Sequence, residues 1–465
     1  MKNKSVLLLG FIAVLCFVAR NVPGQSPTPS ASPLPSPSPT PPCPGFGWAE
    51  GLVKYTAYPA PPFPTDDTAN VNAQDCAFHQ WSWEAFVWAT AIGPDNRARF
   101  TTLHNVDELG QKKAAPAKGP KPLGLKPRDL KPKGATLNKS NDDPKQAGGG
   151  VLVDQNGQIV WYSTHMNDAY FNFVQQNGGA NYGQASDTLK FPVGAAVFKA
   201  SWKVVPDGTT PTGFYTEKTT VPLLRNKKGG GIEIDGTKTR PVTVALVGLH
   251  VVGVTDNHPE FLWGTFEQVQ NAPDLPANLP SPSPVSSQGF TFYAANTPAN
   301  ACNQPSPAPS VTDPKKQTVA PVTNVFRQFA TGNAAPNRTA DINAINSGAQ
   351  GEMANMGTFT PPQPKETVWA NYKLIGTLWL LANTLKPNDS NMLSEGVGSV
   401  NLANSTLETF FQGEGNSCFL CHNTGGSSSG KKQYPGKDIN ISHVMLDSIP
   451  PAPMTPTSTP TKKPK

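Results

Sequence analysis

Near its C-terminal end the chain reads Cys418-Phe419-Leu420-Cys421-His422, and this pentapeptide constrains the rest more than any other stretch. C-x-x-C-H is the attachment sequence of a c-type haem. Two thiols add across the two vinyl groups of one porphyrin, so the cysteines must stand a short, fixed distance apart. The adjacent imidazole then reaches the iron as proximal ligand, a common way of holding haem iron. With six Cys and seven His in 465 positions, chance produces the pattern roughly once in a thousand such chains. Two plainer readings are a Cys418–Cys421 disulfide and half of a zinc site. A structural zinc normally takes four Cys or His ligands, and no second Cys pair of this kind is present. The expected cofactor is one covalent haem c, held by Cys418, Cys421 and His422.

The N-terminal residues agree with that chemistry. Lys2 and Lys4 precede an apolar run from Val6 to Ala19, and Val22 and Gly24 are small enough to flank cleavage after Gly24. This reads as a secretory signal peptide over residues 1–24, and the run falls short of the roughly 20 apolar residues a membrane helix needs. No other stretch is long enough to span, so no membrane span is expected after cleavage. The expected location is periplasmic or secreted, where c-type haem is attached.

Fifty Pro, 41 Gly and a hydrophobic share of 37% leave much of the chain unable to pack. Residues 25–45 are a Pro/Ser tether. Residues 46–320 are expected to form a β-rich domain, interrupted by a Lys-rich insertion over 111–150. That insertion holds nine Lys and one Arg against three Asp, a net +7, while the whole chain carries +6. The remainder is close to neutral, so no nucleic-acid groove is implied. The insertion lacks apolar periodicity and reads as a disordered loop, either simply solvated or a landing patch for an acidic partner. Residues 321–449 form the expected haem-binding region, and 450–465 a disordered tail. The fold class is α+β, with a β-rich body and a short C-terminal helical or loop segment for the haem.

Within the body, Ala77 to Thr90 carries Phe78, Trp81, Ala85 and Trp88 at helical spacing and reads as a core helix, with His79 a satisfied, partly buried histidine. Asn156-Gly157 is a tight-turn signal between two strands, Val151–Asp154 and Gln158–Tyr162. Phe191 to Val205 reads as a strand pair or one long strand. Pro241 to Thr255 is apolar on both faces, like a central strand. Period-two counting puts His250 on one face with Val242, Val244, Leu246 and Val252, where it reads as a neutral, hydrogen-bonded histidine, with haem ligation as the alternative. Phe261 to Val269 is a strand or short helix, and Val368 to Leu381 is ambiguous between the two. Ser405-x-x-Glu408 is a capping box expected to open a helix running toward Cys418. Among Cys43, Cys76 and Cys302 one disulfide leaves one free thiol, and the sequence does not choose the pair.

The face of the iron opposite His422 decides between electron transfer and chemistry. Met445 and His443 are the expected distal candidates, with Met353, Met356 and Met392 farther off. Methionine would raise the potential relative to a second histidine. With none of them bound, an open distal site would suit peroxide or small-molecule chemistry, although no paired acid and base is visible in the sequence.

Several stretches together resemble a family of large exported bacterial proteins with one C-terminal c-type haem, labelled cytochrome c domain-containing. They are Phe191 to Trp202, Leu249-His250, Trp263-Gly264-Thr265-Phe266-Glu267 with Asn271 and Pro273, Trp369 to Gly376, Asn404 to Thr409, and Cys418 to His422. Where that family often has a histidine after the Phe-Glu pair, this chain has Gln268. The resemblance implies haem binding by Cys418, Cys421 and His422 and an electron-transfer role, without naming a substrate. The expected function is one-electron transfer to a redox partner protein, more an electron carrier than a catalyst. A peroxidase-like or oxidase-like haem enzyme is one alternative. The other is an extracytoplasmic binding module that carries a haem relay.

Overall fold

Strands dominate because β-branched and aromatic residues fill the segments between turn residues, and pairing them buries both faces of the resulting sheet. The computed structural model describes residues 43, 54–66, 75–109, 121–127, 149–331, 336–358, 365–381, 384–413, 415, 417–429 and 432–447. The expected signal peptide, tether, tail and most of the Lys-rich insertion lie outside these residues.

The centre is a nine-stranded antiparallel sheet. Its strands are β1 (His104–Asn105), β2 (Lys126–Pro127), β3 (Val160–Met166), β4 (Ala196–Val204), β5 (Thr216–Asn226), β6 (Ile232–Gly253) and β7 (Leu262–Gln268). A small hairpin, β8 (Ser310–Asp313) with β9 (Thr318–Ala320), stands apart, and β10 (Tyr372–Leu380) and β11 (Gly396–Gly398) complete the large sheet. The spatial order is β1-β3-β4-β6-β7-β10-β11, with β2 beside β3 and β5 beside β6. The architecture is therefore α+β and β-rich, as the sequence implies. Among the described residues, no helix is long and apolar enough to cross a membrane.

Among the described residues, strands from either side of residue 320 share the large sheet. β10, from the C-terminal part, pairs with β7 of the body from Tyr372–Gln268 to Leu378–Trp263. Part of the Lys-rich insertion is described as well. Residues 121–127 are ordered, β2 pairs with β3, and Leu123 is buried in the main core. One apolar side chain and a two-residue ladder suffice to pin this stretch, although its composition gives no periodic signal.

One face of the sheet is covered by helix α1 (Asp75–Thr90). Its aromatic residues pack as the sequence implies: Phe86 stacks on Phe266 with ring centroids 4.2 Å apart, and Trp83 meets Phe266 edge-on at 5.0 Å. Helix α3 (Pro336–Asn355) packs beside it. There Asn346 accepts from Trp83 Nε1 and donates to the Leu374 carbonyl, tying both helices to β10. His79 is fully buried, with Nδ1 3.1 Å from Thr377 Oγ1. Cys43 and Cys76 form a disulfide, leaving Cys302 as a buried free thiol. The Asn156-Gly157 turn forms as expected, with Gly157 at φ 76° and Val153 bridged to Ile159.

β6 departs from simple alternation. Its register against β4 slips between Ser201 and Trp202, so that Trp202 faces Leu246 and Ser201 faces Gly248. The extra residue, Val247, turns the strand over. Val244 and Leu246 therefore join the α1-side core, whereas His250 and Val252 emerge on the other face.

Candidate functional site

That other face floors a cavity of about 650 Å³, of the size that takes a cofactor. Two cross-strand rows make the floor. Val197, Val252 and Trp263 form an apolar row, while Thr164, Lys199, His250 and Thr265 form a polar one, each residue directly opposite the next. All seven line the cavity. Its walls come from helix α2 (Asp168–Asn177), the turn around Glu408, and the segment from Cys418 to Val444. Asn167 caps α2 by accepting from the Tyr170 N–H, and the Tyr170 hydroxyl meets Ser442 Oγ at 2.5 Å, closing α2 onto the last wall.

Cys418 to Cys421 form the single-turn helix α5, after the short α4 (Met392–Glu395). Residues i and i+3 share a face of a helix, so the x-x spacing delivers Cys418 and Cys421 to the same cavity. Both are free thiols, which removes the disulfide reading. Burial, followed by the charge of Glu408, pushes both thiols upward in pKa. Among the described residues, the one cluster with metal-ligand spacing is Cys43, Cys76 and Asp341, whose cysteines are already bonded to each other. A zinc site at Cys418 and Cys421 therefore gains no support.

His422 follows α5 and rests against Trp263, ring centroids 4.5 Å apart. Its Nδ1 lies 3.0 Å from the Ile441 carbonyl. A carbonyl can only accept, so Nδ1 carries the proton and Nε2 the lone pair. Burial, then the neighbouring His443, lowers the pKa of His422 well below the ordinary histidine range, so the ring is neutral. This is how metal-ligating histidines are commonly oriented.

Of the two distal candidates, His443 lines the same cavity and Met445 does not. The His443 ring lies flat on His422, centroids 3.9 Å apart and planes 18° apart, and His443 Nε2 donates to the Cys421 carbonyl at 3.1 Å. Stacked in van der Waals contact, the two rings leave no gap between them for a flat group. Met445, in helix α6 (His443–Asp447), is fully buried in a hydrophobic cluster and is absent from the cavity lining. Met353, Met356 and Met392 are likewise core residues.

Sequence reading missed the polar row and its partner. His250 Nε2 lies 3.0 Å from Glu408 Oε1, and both side chains are less than one-fifth exposed. Burial opposes ionisation of Glu408, but His250, Lys199 and the Asn404 N–H together hold its carboxyl below the usual range. The ionised carboxylate accepts, so Nε2 donates.

Glu408 reaches this position through a turn rather than the expected helix. Asn404 acts as the cap, its Oδ1 accepting from the Thr406 N–H, while Glu408 accepts from the Asn404 N–H. Ser405 instead donates both its N–H and its hydroxyl to the buried Glu267, which is also paired with Arg327 at 2.7 Å. Thr406 Oγ1 meets Ser201, and Asn404 Nδ2 donates to Thr265 and Phe266. With these groups committed to the sheet, the segment winds one turn and stops. Gly248 permits the approach, because a Cβ there would collide with Thr406 Oγ1.

Comparison of the chain with protein-family models, curated proteins and solved structures gives no match.

Proposed function

We propose that this chain is an exported c-type cytochrome with one haem attached through Cys418 and Cys421 and its iron bound by His422. The observation that carries the reading is the conjunction of two thiols on one helical turn with a neutral imidazole whose Nδ1–H is locked on the Ile441 carbonyl. The apolar row and Trp263 would receive the porphyrin face, and the cavity volume suits it. When bound, the haem would supply one reversible electron. The chain's own residues set its surroundings: Trp263 excludes water beside His422, and Ile441 holds the ring. Leu420, 39% exposed, and the exposed Cys421 bring this edge to the surface, where a redox partner protein can come close. The Cys43–Cys76 disulfide supports an oxidising compartment, in keeping with the proposed export and with the resemblance to exported single-haem proteins.

A second reading, a haem enzyme with an open distal position, is favoured by one observation. The cavity contains a hydrogen-bonded His250–Glu408 pair, while Met445 is buried outside it and His443 lines it stacked flat on His422.

Optical and electron-paramagnetic-resonance spectra of the ferric and ferrous protein decide the ligand question. Met445→Ala and His443→Ala are expected to leave the iron signature unchanged, whereas His422→Ala abolishes it. A changed spectrum in Met445→Ala would restore methionine as ligand and weaken the open-site reading.

A further inference from the structure

The cavity floor contains more than a haem pocket requires. A pocket for a flat apolar ring is served by the row Val197–Val252–Trp263. The neighbouring row sets an ammonium, Lys199, directly across the ladder from an imidazole, His250, whose far nitrogen is held by a carboxylate arriving from a different wall. The carboxylate is brought in by a turn that is itself bolted to the buried Arg327–Glu267 pair. The strand of Lys199 and the turn of Glu408, the latter 158 residues away in the chain, thus converge on one imidazole.

With Nε2–H donated to Glu408, the lone pair of a neutral His250 is on Nδ1. No hydrogen bond to Nδ1 is made by the described residues. A histidine with one nitrogen fixed by a carboxylate and the other available is the arrangement of a general base, because the carboxylate stabilises the imidazolium that forms. Lys199, across the ladder from His250 and lining the same cavity, adds a positive charge suited to the anion that a lost proton leaves behind.

We propose that His250, positioned by Glu408 and assisted by Lys199, captures small weakly acidic molecules in this cavity as their anions. Hydrogen peroxide and short hydroperoxides are the substrate class. The step is one proton transfer: the O–H bond of the incoming molecule breaks, its proton goes to His250 Nδ1, and the electron pair stays on the oxygen as an anion beside the Lys199 ammonium. No oxidant or reductant is needed for capture. The inference rests on the haem reading above, since capture is read through a haem held in the same cavity.

Two probe anions separate base from charge. Hydrogen cyanide is protonated at neutral pH and must lose its proton to bind, whereas azide is already ionised. Capture is followed in the visible spectrum of the haem-loaded full chain by stopped flow at pH 7. His250→Gln should slow cyanide capture by roughly 100-fold or more while azide capture changes by less than about threefold. Glu408→Gln should slow cyanide capture in the same selective way without altering the strand that carries His250. Lys199→Met should weaken both anions, with Lys199→Arg restoring them. Circular dichroism checks that each variant is folded.

Equal effects of His250→Gln on cyanide and azide, or no effect on either, would overturn the base. So would failure of both anions to bind wild-type protein that carries its porphyrin. Absence of porphyrin from the purified chain, seen by mass, would instead sink the haem reading and this inference with it.

Discussion

The two faces of the central sheet are built from alternate residues of the same strands, yet they are used for opposite purposes. On the α1 side, Phe198, Leu249, Val251, Leu262 and Phe266 join Trp83 and Phe86 in one aromatic core. On the other side, Val197, Lys199, His250, Val252 and Thr265 floor a cavity. One strand thus contributes stability with its even positions and a site with its odd ones, or the reverse. Because the first face is close-packed, it can hold charged and hydrogen-bonding groups rigidly on the second. The site is thus positioned by residues that do not line it.

The sharpest way to break this contrast is to empty the packed face. Phe86 is fully buried and stacked on Phe266. Phe86→Ala should cost about 3–5 kcal/mol, read from urea unfolding followed by far-ultraviolet circular dichroism. A loss below about 1 kcal/mol would show that the aromatic face is not what holds the sheet.

A smaller effect on the same face depends on pH. Glu366 accepts from the Ile92 N–H and from Trp369 Nε1, and burial pushes its carboxyl up to about 7. The folded pKa exceeds the unfolded one, so the uncharged acid is favoured in the fold. Its contribution is fully present below about pH 4.5 and is lost as pH rises through 7. Over that interval, wild type should lose about 1–3 kcal/mol more than Glu366→Gln. Parallel stability curves for the two proteins from pH 5 to 8 would contradict the assignment.

The least effect on stability is expected on the cavity face. Lys199→Met should shift the unfolding free energy by no more than about 1 kcal/mol, because Lys199 is only partly buried and lines the cavity rather than the packed core. A loss comparable to that of Phe86→Ala would mean that the polar row is structural and would erase the division between the faces.

Much of the packed face was legible in the sequence, since Phe78, Trp81 and Trp88 repeat at helical spacing and the strands alternate or run apolar. The Asn156-Gly157 turn was legible because only a few residues tolerate its backbone. The cavity face was not. His250 and Glu408 are 158 residues apart, and no local pattern links them. The bulge at Val247 reversed the face assigned to His250, which period-two counting cannot detect. The Ser405 capping box was a true local signal overridden by tertiary partners: Ser405 binds Glu267 instead, and the helix does not grow. The unity of the sheet was hidden for a similar reason, as β10 is separated from β7 by more than a hundred residues. The shared placement of Cys418, Cys421 and His422 in one cavity was legible because their spacing is contained in five consecutive residues.

The most direct measurement is the intact mass of the full chain after export from a bacterial host equipped for c-type haem attachment. The account predicts one porphyrin per chain that survives acid extraction and disappears in the Cys418→Ser, Cys421→Ser double variant. A mature chain weighing no more than its own polypeptide, with colour absent or washed out by acid solvent, would contradict it.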